Sequence, residues 1–195
     1  GKVVSALNLA FISYNEKYNL RTHNYLFWND GIFSNFLNNK KKVPGRELIK
    51  KIIRKVNKEK IFNKIYFFGN LNFNSKKWLQ DNLNRKYVHK KLPYANIKVI
   101  SSISKKTKFE KKSLIILTIP TPKQEIVANE ILKKYPTSLI ICAGGALNII
   151  SGEERQVPNI MSHFYLEWLW RLKFDTKRRL KRLTETSLIF LKIIL

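Results

Sequence analysis

Ser113-Leu114-Ile115-Ile116-Leu117-Thr118-Ile119-Pro120-Thr121-Pro122-Lys123-Gln124-Glu125 opens the stretch on which the fold turns, and Ser138-Leu139-Ile140-Ile141-Cys142-Ala143-Gly144-Gly145-Ala146-Leu147-Asn148 closes it. Each half begins as an apolar, β-branched run, breaks into Pro or Gly, and continues as a helical pattern. Such runs read as buried parallel strands feeding loops. In an open α/β sheet, ligands bind at the carboxyl ends of those strands. The chain is therefore expected to be α/β, a mostly parallel sheet flanked by helices.

The same grammar extends outward. Val3-Val4 is expected to be a first strand and Ala6 to Tyr18 a first helix. Leu26-Phe27-Trp28 leads into Asn29-Asp30-Gly31 and a helical pattern through Phe33, Phe36 and Leu37. Asn38 to Lys42 is a polar loop, and Val43-Pro44-Gly45 precedes a helix to about Val56. Ile65 to Asn70 reads as a strand ending at Gly69, Trp78 to Tyr87 as helix, Asn96 to Ser101 as a short strand, and Lys105 to Lys112 as a solvated loop. A helix is expected from Thr121 to about Tyr135. Pro122 suits its first turn and Thr121 reads as its cap, supported by Gln124 and Glu125. Phe164 to Leu172 reads as a further helix, with Trp168 and Trp170 in core or interface positions. Six of the seven glycines (Gly31, Gly45, Gly69, Gly144, Gly145, Gly152) fall at strand ends or loops, which points to a backbone-lined site.

Composition bounds the function. With 195 residues and 44% hydrophobic content, the chain suffices for one domain with a real core and is tight for two. Lys and Arg number 38 against 13 Asp and Glu, a formal net charge of +25. That excess indicates a polyanionic partner (nucleic acid, anionic lipid or a phosphate-bearing substrate) or else a generally basic solvated surface. Cys142 is the single cysteine, so there is no internal disulfide, and no Cys/His cluster has metal spacing. A reducing compartment fits. No apolar run approaches the roughly 20 residues that span a bilayer, and the opening residues carry no secretory signal. Gly1 stands where Met would be, as an added residue or a cut site leaves it.

The aspartates are sparse: Asp30, Asp81 and Asp175 only. Asp81 lies in a polar helical stretch and Asp175 in a basic one. Asp30 alone sits between an apolar run and a helix start, where an active-site carboxylate would be held; the structural alternative is a capping Asp. No Asp-x-Asp pair exists, so a phosphate ligand is expected to be met by Arg, Lys, hydroxyls and helix N-termini rather than by a metal.

Thr121-Pro122-Lys123-Gln124-Glu125 after one strand, Gly144-Gly145-Ala146-Leu147-Asn148-Ile149-Ile150-Ser151-Gly152 after the next, and Leu166-Glu167-Trp168-Leu169-Trp170-Arg171-Leu172 with trailing Arg178 and Arg182 together resemble the WecG/TagA/CpsF glycosyltransferases (glycosyltransferase family 26). The ordered set spans Ser113 to Arg182, with weaker echoes back to Ser5. The resemblance implies a Rossmann-like core over 1–160 and a C-terminal helical appendage, basic then apolar, over 161–195. It implies an inverting, metal-independent enzyme without cofactor. Such an enzyme moves a sugar from a UDP-sugar to a polyprenyl-diphosphate-linked sugar at the cytoplasmic membrane face, in cell-surface polysaccharide or teichoic-acid synthesis.

By the same resemblance Asp30 is the general base, and Ser5 and Asn8 face the donor sugar; capping by Ser5 is the structural alternative. Gly31, Gly69, Thr121, Pro122, Lys123, Gln124, Gly144, Gly145 and Asn148 hold the UDP-sugar, although Asn148 stands where many relatives carry Asp. Lys42, Arg46, Arg155, Arg171, Arg178, Arg179 and Arg182 meet acceptor phosphate; Lys42 and Glu47 replace the family's Arg and Asp, and Gln156 its loop Arg. Glu167 and Arg171, at i and i+4, read equally as a simple pair. Lys177 to Arg182 followed by Leu188 to Leu195 suits a helix lying on an anionic membrane, or else a packing or oligomer-interface helix. Two other readings stand beside the enzyme: a basic nucleic-acid-binding protein, for which no helix-turn-helix, zinc or RNP-like signature appears, and a non-catalytic relative.

Overall fold

The computed structural model of the chain describes residues 1–30, 43–93, 95–158, 160–161, 166–173 and 176–194. Six strands make one all-parallel sheet: β1 (Lys2–Leu7), β2 (Tyr25–Asn29), β3 (Ile65–Gly69), β4 (Tyr87–Lys91), β5 (Leu114–Thr118) and β6 (Leu139–Cys142), in the order β2-β1-β6-β5-β3-β4. The described helices are α1 (Leu9–Tyr18), α2 (Gly45–Lys58), α3 (Phe73–Asn82), α4 (Ile97–Lys106), α5 (Lys123–Lys134), α6 (Ala146–Ile150), α7 (Glu167–Leu172) and α8 (Thr176–Ile194). The arrangement is α/β and Rossmann-like.

Crossover handedness sorts the helices. Along the sheet, β1→β2, β4→β5 and β5→β6 step one way, while β2→β3 and β3→β4 step the other. Right-handed crossovers then put α1, α4 and α5 on one face and α2 and α3 on the opposite face. The two cores agree. Phe11, Ile100, Val127 and Ile131 pack with Tyr66, Phe68, Ile115, Leu117 and Ile140. Ile49, Ile53, Leu79 and Leu147 pack with Ile65, Phe67, Leu114, Ile116 and Ile141. Alternate residues of β3 and β5 serve opposite faces, which is why these strands read as unbroken apolar runs. Each fully buried Ile, Leu or Phe contributes about 1.5–3 kcal/mol.

Several expected boundaries are corrected. β1 runs through Leu7, so the first helix starts at Leu9 rather than Ala6. Its cap is Asn8, whose side chain accepts the Phe11 N–H at 3.0 Å; Ser5, inside the strand, caps nothing. α3 is capped by Asn72 and ends at Asn82, and Tyr87 opens β4 instead of closing a helix. β4 escaped the sequence because an edge strand reading Tyr-Val-His-Lys-Lys lacks an apolar run. Asn96 to Ser101 is not a strand. Asn96 caps α4 by accepting the Val99 N–H at 3.0 Å, and Ile100 and Ser104 supply a buried helical stripe. Within the Lys-rich loop, Phe109 is buried against Tyr66 at 5.0 Å in an edge-on contact. The expected helix through Phe33 to Leu37 lies outside the described residues.

α8 lies against α1. Ser13 Oγ donates to the Thr186 carbonyl at 2.7 Å in a buried contact, and Glu185 meets Lys17 at 2.8 Å. The Lys17 hydrogen bond is the main reason the Glu185 carboxyl sits below its ordinary range. The outward side keeps Leu180, Leu188, Leu191 and Ile193 exposed. Among the described residues no helix is long and apolar enough to cross a membrane.

Candidate functional site

The helices that follow β3 and β5 leave in opposite directions, which opens a crevice at the carboxyl ends of these neighbouring strands. Gly69 closes β3 with φ +133°, and a Cβ there would come within 2.6 Å of Thr118 Oγ1. Only a glycine lets the two strand ends approach this closely. The Gly69 carbonyl also bonds the His89 Nε2 at 3.0 Å.

Next to the crevice, a buried polar network joins three strand ends. Glu125, 1% exposed, takes all its side-chain partners on one oxygen. Oε1 accepts from Gln124 Nε2 at 2.8 Å, Ser5 Oγ at 3.2 Å and Thr121 Oγ1 at 3.2 Å. Among the described residues Oε2 has no hydrogen-bond partner. Gln124, also buried, accepts the Gly144 N–H on its own Oε1 at 3.0 Å. Ser5 on β1, the β5–α5 turn and the β6 loop are thus one unit. Burial pushes the Glu125 carboxyl up, against the lowering effect of its hydrogen bonds. The Cys142 thiol beside it is pushed up by burial first and by Glu125 second.

The β6 loop continues toward a second feature. A Cβ on Gly145 would stand 3.8 Å from Glu154 Oε1, and Glu154 Oε2 meets Arg179 Nη2 at 3.5 Å. Here a cleft of about 380 Å³ is lined by Arg46, Arg155, Arg179, Glu153, Glu154 and Trp170, among others. Arg46 comes from the first turn of α2, Arg155 from the loop after α6, and Arg179 from α8. The Arg179 Nε is buried and has no hydrogen-bond partner among the described residues. Three cations from three segments around one cleft suit a multiply charged oxyanion.

At the other end of the sheet, Asp30 follows β2. Its N–H donates to the Leu7 carbonyl at 3.4 Å, and Leu7 pairs with Asn29 in register. Asp30 and Asn8 therefore leave adjacent strand ends side by side. Gly45 connects this end to the β6 loop: a Cβ there would be 3.8 Å from the Ala146 Cβ and 3.9 Å from Trp28.

The expected site residues sort accordingly. Arg46, Arg155 and Arg179 come together at the cleft, and Thr121, Gln124 and Gly144 come together with Ser5 in the buried network. Ser5 is fully buried. Thr121 is not the helix cap: Pro122 holds that position, after a cis peptide, without a capping bond. Nor does α5 offer a row of free N–H groups, since the Gln124 N–H bonds the Pro120 carbonyl. Lys123 turns aside and donates to the Ala95 carbonyl at 2.6 Å. Asn148 ties α6 to α3, its Oδ1 accepting from Asn72 and Ser75 at 3.4 Å each. Arg182 lies near the Tyr14 phenol rather than lining the cleft. Gly31 and Lys42, and the Arg171 and Arg178 side chains, lie outside the described residues.

Sequence reasoning missed Glu125 as more than a cap, and missed Glu154 and Trp170 as cleft walls. The signal for Glu125 was its place on the apolar stripe of α5, three residues before Ala128 and six before Ile131, both buried. Among the described residues, no three His, Cys, Asp or Glu side chains stand together as a metal site requires. In comparison with known proteins, the model of the family described as "Glycosyl transferase WecG/TagA/CpsF family" matches residues 31–195.

Proposed function

The chain belongs to the glycosyl transferase WecG/TagA/CpsF family, a role of glycosyl transfer in cell-surface polysaccharide synthesis, and from that premise we propose that it moves a sugar from a UDP-sugar to a polyprenyl-diphosphate-linked sugar with inversion. The observation that carries this reading is the cleft lined by Arg46, Arg155 and Arg179, whose Glu154 approaches Gly145 of the glycine loop.

In the proposed mechanism Asp30 accepts the proton of the acceptor hydroxyl. The hydroxyl oxygen forms a bond to the anomeric carbon from the face opposite UDP. The bond from that carbon to the β-phosphate oxygen breaks, and UDP leaves with the electron pair. A positioned base of this kind contributes about 10²–10⁴-fold. Gly69, Gly144 and Gly145 let backbone approach the nucleotide, with Thr121, Gln124 and Asn148 around it. Arg46, Arg155 and Arg179, with Arg171, Arg178 and Lys42, supply the positive charge that a leaving or acceptor diphosphate demands, so the chemistry needs no metal ion. α8, with basic residues at its start and exposed Leu188, Leu191 and Ile193 at its end, would rest on an anionic membrane at the cytoplasmic face.

The test is acceptor-dependent UDP release, in EDTA, from a panel of UDP-sugars with a short-chain polyprenyl-diphosphate N-acetylglucosamine. Release from one donor is expected. No release with any donor, from protein shown to be folded, counts against the reading, and calorimetry with UDP then separates a different acceptor from a non-catalytic chain.

A further inference from the structure

Glu125 carries a second conclusion. It is the one acidic side chain among the described residues that is buried; Glu153, Glu154 and Asp30 are all partly or fully open to solvent. Among the described residues no Lys or Arg forms an ion pair with it, and the groups that donate to Oε1 are neutral. The groups that face it are Ser5 from β1, Tyr25 from β2, Thr121 and Gln124 from its own segment, and Cys142 from β6. The Tyr25 hydroxyl donates to the Glu125 backbone carbonyl at 3.1 Å. Of these only Tyr25 and Cys142 titrate, and burial holds both in their neutral forms.

The unpartnered Oε2 decides the protonation state. As a carboxylate, Glu125 would bury half its charge on an oxygen that receives no donor, the costlier of the two states. As a carboxylic acid it would leave only one neutral hydroxyl without an acceptor. The helix N-terminus favours the anion, but more weakly than burial of an unpaired charge opposes it.

We propose that Glu125 is held as a neutral carboxylic acid and acts as a positioning residue, fixing Gln124 and through it the Gly144 loop. This rests on the donor-site reading for its functional meaning, but not for its geometry. Neutrality has a consequence for the ligand. A carboxylate in the first turn of α5 would place negative charge between the strand ends that are to receive a diphosphate. The proton removes that repulsion while keeping the three hydrogen bonds that lock β1, α5 and the β6 loop together.

Two measurements on the free chain test the proposal without any ligand. The infrared difference spectrum between wild type and Glu125→Gln at pH 7 is expected to show the carbonyl stretch of a protonated carboxyl; a carboxylate pair of bands in its place overturns the proposal. Amide hydrogen exchange at Gly144 is expected to be near wild type in Glu125→Gln and at least about tenfold faster in Glu125→Ala, the loss of roughly 1.4 kcal/mol of local protection. Unchanged exchange in folded Glu125→Ala overturns the positioning role; if that variant does not fold, Gln124→Leu, which removes the shorter of the two acceptors of the Gly144 N–H (Gln124 Oε1 at 3.0 Å) and leaves the Leu117 carbonyl at 3.2 Å, is held to the same tenfold criterion. UDP affinity by calorimetry is then expected to follow Gly144 protection across the set. If wild type shows both ligand-free signatures and binds no UDP, Glu125 stands and the donor reading falls.

Discussion

Gly69→Ala probes how tightly the ends of β3 and β5 are pressed together. The new Cβ would meet Thr118 Oγ1 at 2.6 Å, Ile119 Cγ2 at 2.9 Å and the Thr118 carbonyl carbon at 3.0 Å, with φ at +133°. The backbone conformation alone costs an L residue on the order of 1–3 kcal/mol. Two of the three contacts are with the residue that pairs with Gly69 in the sheet, so the overlap cannot relax by a rotamer change only; overpacking of this kind costs about 1–3 kcal/mol. Together these give roughly 4 kcal/mol, and at about 2–4 °C per kcal/mol for a chain of this size the melting temperature falls by roughly 8–16 °C. Gly152→Ala is the internal control. Its φ of +77° is also left-handed, yet nothing lies within 4 Å of its would-be Cβ. Conformation alone predicts about 1–2 kcal/mol there. Urea denaturation followed by circular dichroism, with matched slopes for the three proteins, measures both. If Gly69→Ala costs no more than Gly152→Ala, the strand ends are not in the contact described, and the crevice between them has a different shape.

Asp30→Asn is expected to fold normally and lose about 10²–10⁴-fold in turnover; near-normal UDP release from that variant removes Asp30 as base. Arg179→Ala is expected to weaken a diphosphate-bearing acceptor by about 10- to 150-fold, the 1.5–3 kcal/mol of a charged hydrogen bond, with little change in binding of a neutral sugar; equal losses for both ligands would contradict it. Against Glu125→Gln, wild-type stability is expected to decline as pH rises above 4.5, by up to about 1.4 kcal/mol per pH unit until the folded-state carboxyl ionises. The sign follows because a raised folded pKa means that the folded chain holds the proton more tightly, a gain present at low pH and lost on ionisation; a difference that grows with pH would refute it. Leu188→Ser with Leu191→Ser is expected to reduce sedimentation with anionic vesicles while sparing the Ser13–Thr186 contact, which a truncation of residues 184–195 would also remove. Unchanged sedimentation would sink the membrane role of α8.

The central strands were readable because burial on both faces leaves nothing but apolar residues: Ile115 and Ile116 point to opposite cores and neither tolerates a polar group. That rule fails at the edge. His89, Lys90 and Lys91 of β4 keep contact with solvent, so pairing with β3 left no trace in composition. α4 was misread because Ile97, Val99, Ile100 and Ile103 are β-branched, a preference that packing against α5 overrides. In the site, the glycines of the strand ends were legible from their punctuation alone. The grouping of Arg46 with Arg155 and Arg179 came from the family resemblance alone, because nothing local couples Arg46 to positions more than a hundred residues later. Glu125 was hidden for a sharper reason. A carboxylate in a first helical turn is ordinarily a solvated cap, and only Ser5, brought over by β1, shows that this one is inside.

The position of β1 also sets a clock. Its first neighbour, β2, follows within a few residues of the end of α1, but its second, β6, pairs Leu139 to Ile141 with Lys2 to Val4. A ribosome adding about 5–20 residues per second needs on the order of 5–25 s to cover that gap. For that interval one side of β1 is an open hydrogen-bonding edge. The nascent chain therefore carries, for seconds, an invitation to pair with a neighbouring copy, and a chaperone that binds extended apolar segments has Val3, Val4 and Ala6 to hold until β6 arrives.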